Sequence, residues 1–496
     1  MTDAPATSPK ICACREVHGF DCQFSDHPDR DKFDNRHWCI FHLPLQNDQG
    51  NLSEKGRRTA GWESDDTEKR QTFNKEILNR LAASRSGASV DAGCADFRYV
   101  EFPHGFDLPE LSKPLLCKEF YVDFSYAKFD GSADFTEVSF GEYPRFTGVT
   151  FKGMAYFSKA RFSGYAEFSN AVFEDVVRFN SAVFERSAIF NRAVFSGEAD
   201  FKGVEFRHKA CFSGATFMGD ARFDDAKLGD QTSFSGAKFL VEATFSVRDV
   251  DKANTKFQRI NFSRAEFHGP CSFENRNFTA NASFNDAEFH DLVKFHGCTF
   301  HQGMSFHDTK FYKTHGGYDA EGFENDAETE KLERSYRTLK LGMETLRARN
   351  EEAMFFAKEM ECRRNRSDIG LFEHFVAFSY KKLSNYGQSI LKPLVWLTGF
   401  TALMWCVYYV TGEKTLTDLV LDVISGKVES WEIAKFTIEQ MFRPFFVWSA
   451  TSGDKAIDLV RYNPFLIPLL ASLQSLATLS LLALFLLALR RRFKMD

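Results

Sequence analysis

Aromatic residues recur at every eleventh position between residues 124 and 311. One series runs Phe124, Phe135, Phe146, Phe157, Phe168, Phe179, Phe190, Phe201, Phe212, Phe223, Phe234 and Phe245. It passes Lys256 and resumes at Phe267, Phe278, Phe289, Phe300 and Phe311. A second series starts at Phe129 and runs through Phe140, Phe151, Phe162, Phe173, Phe184, Phe195, Phe206, Phe217, Leu228, Phe239 and Val250, then slips one residue to Phe262, Phe273, Phe284, Phe295 and Phe306. Gaps between successive aromatics therefore alternate between five and six. Two residues before most of them stands a small residue with a polar one between, as in Ala133-Asp134-Phe135 and Ala199-Asp200-Phe201. An internal repeat of this length has to be explained before any single motif is read.

An eleven-residue period also suits a right-handed helical supercoil. The residue types argue against that. Gly148, Gly153, Gly164, Gly197, Gly203, Gly214 and Gly219 fall within the repeats, and each costs a helix ~1 kcal/mol. Phe, Ser, Thr and Asn are indifferent helix formers. The small-polar-Phe unit instead shows the alternation of a short strand, with the first and third residues on one side. Short strands with Phe and Ala inward, joined by turns rich in Ser-Gly, Asn or Asp, wind into a solenoid.

The (Ala)-(Asp/Asn)-(Phe/Leu)-x-x unit resembles the pentapeptide-repeat family in its Phe-rich form. The likeness covers roughly residues 124–311. It implies a right-handed quadrilateral β-helix with about 22 residues per coil, hence eight or nine coils. At ~4.8 Å between stacked strands the rod is expected to be about 40 Å long. Some members of the family resemble B-form DNA and are strongly acidic. This segment holds 24 Asp and Glu against 22 Lys and Arg, so DNA mimicry is not expected. The whole chain, at net charge −6, has no basic field for nucleic acid. The Val247–Lys256 stretch breaks the pattern and reads as an outward loop.

Beyond Gly316-Gly317 the composition shifts. Residues 327–364 are rich in Glu, Lys, Arg and Leu with a single glycine, Gly342. Leu332, Tyr336, Leu339, Met343, Leu346 and Ala353 form a heptad-like seam. One long helix is expected, which either caps the solenoid or pairs with copies of itself. Phe355–Arg364 and Leu383–Ser389 resemble segments of membrane-bound bacterial members of the family. Residues 394–410 and 464–489 carry no charge and are long enough to span a bilayer, with spans expected at about 393–411 and 464–489. Lys381, Lys382 and Lys392 precede the first span, and Arg490, Arg491, Arg492 and Lys494 follow the second. The loop 411–463 carries six Lys and Arg against eight Asp and Glu. The positive-inside rule then places both termini in the cytosol of a multi-pass protein of the bacterial inner membrane. No apolar run follows Met1, so a cleaved signal peptide is not expected.

The expected domains are thus an N-terminal Cys/His cap and loop (1–66), a helix and irregular first solenoid turn (67–123), the β-helix (124–311), a charged helical linker (318–390) and a membrane domain (391–496). The sequence holds no P-loop, no G-x-S-x-G and no H-E-x-x-H, so an enzyme is not expected. The reading is a membrane-tethered scaffold or sensor that binds a protein partner in the cytosol. The alternative is a channel-like pore former gated by the β-helix and oligomerised through residues 327–364. Residues 431–449 sit where a pore helix belongs, and Ser472, Gln474, Ser475, Thr478 and Ser480 either line a pore or bond between helices. His208, His268, His290, His296, His301 and His307 are expected at outward or turn positions.

Eleven cysteines in so long a chain do not suggest a secreted disulfide framework. Several cluster early with histidines: Cys12, Cys14, His18, Cys22, His27, His37, Cys39 and His42. Cys39-x2-His42 is a good zinc half-site. Cys14, Cys22, Cys39 and His42 are the expected tetrahedral set, with Cys12 as substitute and structural zinc as the cofactor. The same residues also read as unlinked thiols and imidazoles in a small cap. Metal analysis by mass spectrometry on purified residues 1–110 decides between them: bound zinc is expected, and folded metal-free protein excludes it.

Overall fold

The computed structural model describes residues 30–33, 36–39, 94–102, 106–107, 121–248, 256–312, 326–411, 428–441 and 465–493. The chain divides into two compact units, Met1–Leu346 and Arg347–Asp496. The first is a parallel-strand β-solenoid closed by a helix; the second is helical.

The solenoid has four faces, each a ladder of two-residue strands. Face 1 stacks ten strands, from Glu101–Phe102 to Lys310–Phe311, and face 2 stacks nine, from Phe106–Asp107 to Val293–Lys294. Face 3 has four, from Ser139–Phe140 to Glu205–Phe206. Face 4 has seven, from Ala166–Glu167 to Met304–Ser305. Pairing is parallel and in register at one coil, Thr150 with Val172 and Phe151 with Phe173. The coil therefore takes 22 residues because it takes two eleven-residue units, one for each pair of faces. Winding starts earlier than residue 124. Cys94–Asp96 pairs with Tyr121–Asp123, and Phe102 pairs with Phe129, so the imperfect Ala95-Asp96-Phe97 repeat is a true first turn with an enlarged coil.

The eleven-residue series resolves into two ring columns, one behind face 4 and one behind face 2. Within a column the rings lie parallel, Phe146 on Phe168 at 4.6 Å and Phe190 on Phe212 at 4.8 Å. Between columns they meet edge to face, Phe157 against Phe168 at 5.7 Å and 90°. Both geometries suit the aromatic quadrupole and add ~0.5–1.5 kcal/mol per pair beyond area burial. The second series fills faces 1 and 3, Phe151 on Phe173 at 5.2 Å and Phe162 on Phe184 at 4.4 Å. Every Phe of the first series from Phe124 to Phe245 is buried.

The corners that follow first-series Phe residues are four-residue turns. The Ala160 N–H donates to the Phe157 carbonyl at 3.1 Å, and Lys159 between them has φ 55°. The same left-handed position is Asn170, Arg192, Gly214 and Asp286 in other coils. A positive φ at the third residue lets the chain turn sharply. Lys159 and Arg192 carry ~1–2 kcal/mol of strain there, which the stacked rings on either side outweigh.

The break in the repeat is a six-residue insertion. Phe239 pairs with Phe267, 28 residues on instead of 22. The insertion exchanges the two series: Phe234 stacks on Phe262 and Phe245 on Phe273, so the first series continues at Phe262 and not at Phe267. Both ends of Val247–Lys256 belong to the coil. Val247 is buried, and Lys256–Phe257 already pairs with Asn277–Phe278 as a resumed face 3; residues 249–255 lie outside the described set. Among the described residues the face 3 ladder breaks between Lys227 and Lys256. Arg276 supplies side-chain donors beside this break. It occupies the inward column of Ala160, Ala182, Val204 and Ala226, almost fully buried, and donates to the Ala226 and Phe223 carbonyls at 2.9 Å each and to the Phe245 carbonyl. Its guanidinium lies 4.5 Å from the Phe257 ring centre. Burial pushes its pKa down to about 10, opposed by Asp225 and Asp224, so it stays charged at neutral pH.

Helix α1, Asp326–Thr345, closes the far end of the solenoid. Leu332, Tyr336, Leu339 and Met343 of the seam are buried. Tyr336 meets Phe311 edge to face at 5.8 Å, and the Ser335 hydroxyl accepts the Phe295 N–H at 3.1 Å. Gly342 is required: a Cβ there would stand 2.3 Å from the Phe300 ring. The expected single helix over 327–364 is two. Arg347 turns left-handed at φ 56°, and α2 begins at Arg349. The cap is thus the role the seam plays, and self-association through 327–364 would need other residues.

The second unit holds α2 (Arg349–Arg364), α3 (Leu371–Ser384), α4 (Leu391–Thr411), α5 (Val428–Gln440) and α6 (Leu466–Phe493). By length and composition, Leu391–Thr411 and Leu466–Arg490 are able to cross a membrane. The expected helix at 67–83 and loop at 44–70 lie outside the described residues.

Replacing one central ring tests the columns. Phe190→Ala is expected to lower stability by ~3–5 kcal/mol in urea unfolding followed by far-UV circular dichroism.

Candidate functional site: an outward column and a buried helical junction

Since each outward position recurs once per coil, the solenoid surface is a set of parallel columns. Most carry alternating charge. Lys159 pairs with Glu137 at 3.0 Å, Arg207 with Glu185 at 2.6 Å and Lys310 with Glu288 at 2.6 Å. Such exposed pairs contribute little stability but leave those columns nearly neutral.

One column differs. The residue after the face 1 Phe donates its N–H to the Phe carbonyl one coil below, which sets Asp130, Lys152, Glu174, Ser196, Met218, Leu240, His268, His290 and Tyr312 in line. It begins charged, with Lys152 on Asp130 at 2.6 Å. It then turns apolar: Met218 and Leu240 are each more than two-fifths exposed, as is Val241 beside them. It ends in a stack, His268 on His290 at 4.7 Å and His290 on Tyr312 at 4.6 Å. Glu266 and Glu288 sit 3.2 and 3.3 Å from the two imidazoles. From Met218 to Tyr312 the column rises about 19 Å, four strand spacings. The other histidines of the repeat, His208, His296, His301 and His307, are exposed as the sequence suggested. The signal for this column was present at register 22 (28 across the insertion), but it shows only when residues one coil apart are read together.

Of the expected zinc ligands, Cys14, Cys22 and His42 lie outside the described residues. Cys39 ends the strand Arg36–Cys39, antiparallel to Arg30–Phe33 with Arg30 opposite Cys39. Among the described residues no group of three or more His, Cys, Asp or Glu is placed to hold a metal.

In the second unit two polar residues of α6, Gln474 and Ser475, bond between helices. The Tyr408 hydroxyl of α4 donates to Gln474 Oε1 at 2.8 Å, and Gln474 Nε2 donates to the Thr437 carbonyl of α5 at 2.9 Å. The Ser475 hydroxyl donates to the Gln440 carbonyl. These are carbonyls of the last turn of α5, which has no helical donor left to satisfy them. Met404, Tyr408, Phe436 and Ile467 pack around the junction. Ser472 and Ser480 donate to carbonyls of their own helix, Pro468 and Leu476. Of the five polar residues singled out in this span, Gln474 and Ser475 therefore hold helices together.

A family model for pentapeptide repeats, nine copies long, matches residues 121–161, 157–205, 201–246 and 253–299. No curated protein and no solved structure matches the chain.

Gln474→Leu removes two interhelical hydrogen bonds. It is expected to cost about 1–2 kcal/mol in the unfolding of the detergent-solubilised chain, with no gain or loss of ion flux through liposomes holding it.

Proposed function

Residues 121–246 and 253–299 belong to the pentapeptide-repeat family, and on that premise we propose that the chain is a non-enzymatic scaffold whose solenoid binds a protein partner while the helical unit tethers it to a membrane. The observation that carries the reading is the Met218–Leu240–His268–His290–Tyr312 column. It sets apolar and aromatic side chains along one line over five successive coils, longer than the Tyr143–Tyr165 pair elsewhere on the surface. Aromatic residues and Met are enriched where proteins meet, and a stack fixed by backbone hydrogen bonds loses little freedom on binding.

The two apolar helices α4 and α6 support the tether. Lys381 and Lys382 before α4, and Arg490, Arg491 and Arg492 in the last turns of α6, support cytosolic termini at a bacterial inner membrane. A pore is the less favoured reading, because Gln474 and Ser475 are committed to neighbouring carbonyls and no filter-like sequence follows α5.

Crosslinking in membranes followed by pull-down tests the proposal. The unaltered chain is expected to retain a specific protein, and a Met218→Glu, Leu240→Glu double variant to lose it at least about tenfold, the ~1.4 kcal/mol of a modest hot spot. Equal capture by a variant with an unchanged unfolding midpoint refutes the column as the docking line.

A further inference from the structure

The helix that precedes the first apolar span is itself apolar on the outside. In α3, Leu371 is 92% exposed, Phe372 80% and Phe375 66%, with Val376 and Phe378 about half exposed. Those five side chains occupy the first two turns. Only Ala377 and Ser384 of the whole helix are buried. Water tolerates no such cluster without cover, and at 14 residues the helix is too short to span a bilayer.

Its charges are arranged one-sidedly. Glu373 is held by Arg363 at 2.6 Å, and Lys381 by Glu361 at 2.7 Å. Burial opposes ionisation of Glu361, but Lys381 and Lys358 outweigh it and hold the carboxyl below the usual glutamate value. Lys382 and Lys392 stay exposed on either side of the turn into α4. That turn is abrupt: Asn385, Tyr386 and Gly387 take φ of 50°, 54° and 79° in succession. The Ser384 hydroxyl accepts the Gly387 N–H at 3.1 Å, and Gln388 Nε2 donates to the Ala353 carbonyl of α2 at 2.7 Å. The chain therefore leaves the α3 axis before the span begins. Beyond it, exposed Leu391, Val395 and Trp396 carry the apolar surface on into α4.

We infer that α3 lies in the plane of an anionic bilayer surface, its Phe-rich side at the boundary of headgroups and acyl chains and Lys382 and Lys392 at the phosphates. The inference rests on the reading of α4 and α6 as spans. An apolar side continuous with a span, ended by free cationic side chains, is what an interfacial helix needs, and Trp396 stands where aromatic residues anchor at the interface. A soluble protein partner would have to match the apolar cluster without reaching the lysines beside the span.

Tryptophan probes decide it. The full chain carrying Phe375→Trp, or Leu403→Trp in mid-span, is placed in vesicles of phosphatidylcholine and phosphatidylglycerol brominated at shallow or deep acyl carbons. Emission is compared with that of the unaltered chain. For position 375 the added emission is expected to be quenched at least about twofold more by shallow than by deep bromine, and for 403 the reverse. Quenching at 403 with none at 375, or with deep quenching at 375, overturns the interfacial placement and leaves the spans standing. No quenching at either position overturns the spans and the inference together. Lys382→Glu with Lys392→Glu should reduce shallow quenching at 375 in the anionic vesicles and leave it unchanged in pure phosphatidylcholine; an equal effect in both removes the anionic headgroup from the proposal.

Discussion

Parallel strands stack at about 4.8 Å, and phenylalanine rings stack at the same distance, 4.6 Å for Phe146 on Phe168. This coincidence of spacings is what the solenoid depends on. One repeat satisfies both the backbone ladder and the ring columns, so neither strains the other. The edge-to-face contacts between columns, such as Phe168 with Phe179 at 5.6 Å and 89°, lock the opposite faces 4 and 2 in phase. A leucine would fill the volume, yet it would offer neither contact. The regularity also explains what the coil tolerates. Lys159, Arg192 and Tyr126 sit left-handed at corners because the rings on either side over-determine the turn.

The insertion shows the same constraint from its weak side. Six extra residues move the chain on by one face, so the rings regain their columns with the two series exchanged. Beside the break, Arg276 donates from one buried cation to the Phe223, Ala226 and Phe245 carbonyls. Cys298, one coil on, donates its thiol to the Phe273 carbonyl at 3.0 Å, and burial pushes that thiol up to about 12. The inward column is therefore polar only where the face above or below it is incomplete.

Regular inside, the coil is free to vary outside. One column passes from charge through Met218 and Leu240 to stacked imidazoles because outward residues answer only to their neighbours one coil away. The helical unit is built on the opposite logic. Its buried polar contacts are few and specific, with Tyr408, Gln474 and Ser475 closing the last turn of α5, and its apolar side chains face outward. Phe372 and Phe375 on α3 belong to that pattern as much as Leu403 on α4.

The period alone determined the solenoid and the inward Phe and Ala, because it is a local rule repeated until chance cannot imitate it; two long uncharged runs marked the apolar helices. The period also marked the place of the insertion. The fate of the series beyond it was not legible, since a shift of six reads equally as a loop or as a change of face until strand register decides. The seam of Leu332, Tyr336, Leu339 and Met343 announced a buried stripe without naming what buries it; the end of the coil at Phe300 and Phe311 supplied the answer. Arg276, the His268–His290–Tyr312 stack and the Gln474 junction came only from tertiary structure. Each joins residues at least 22 positions apart, and their contacts exist only once the coils and helices have closed on one another.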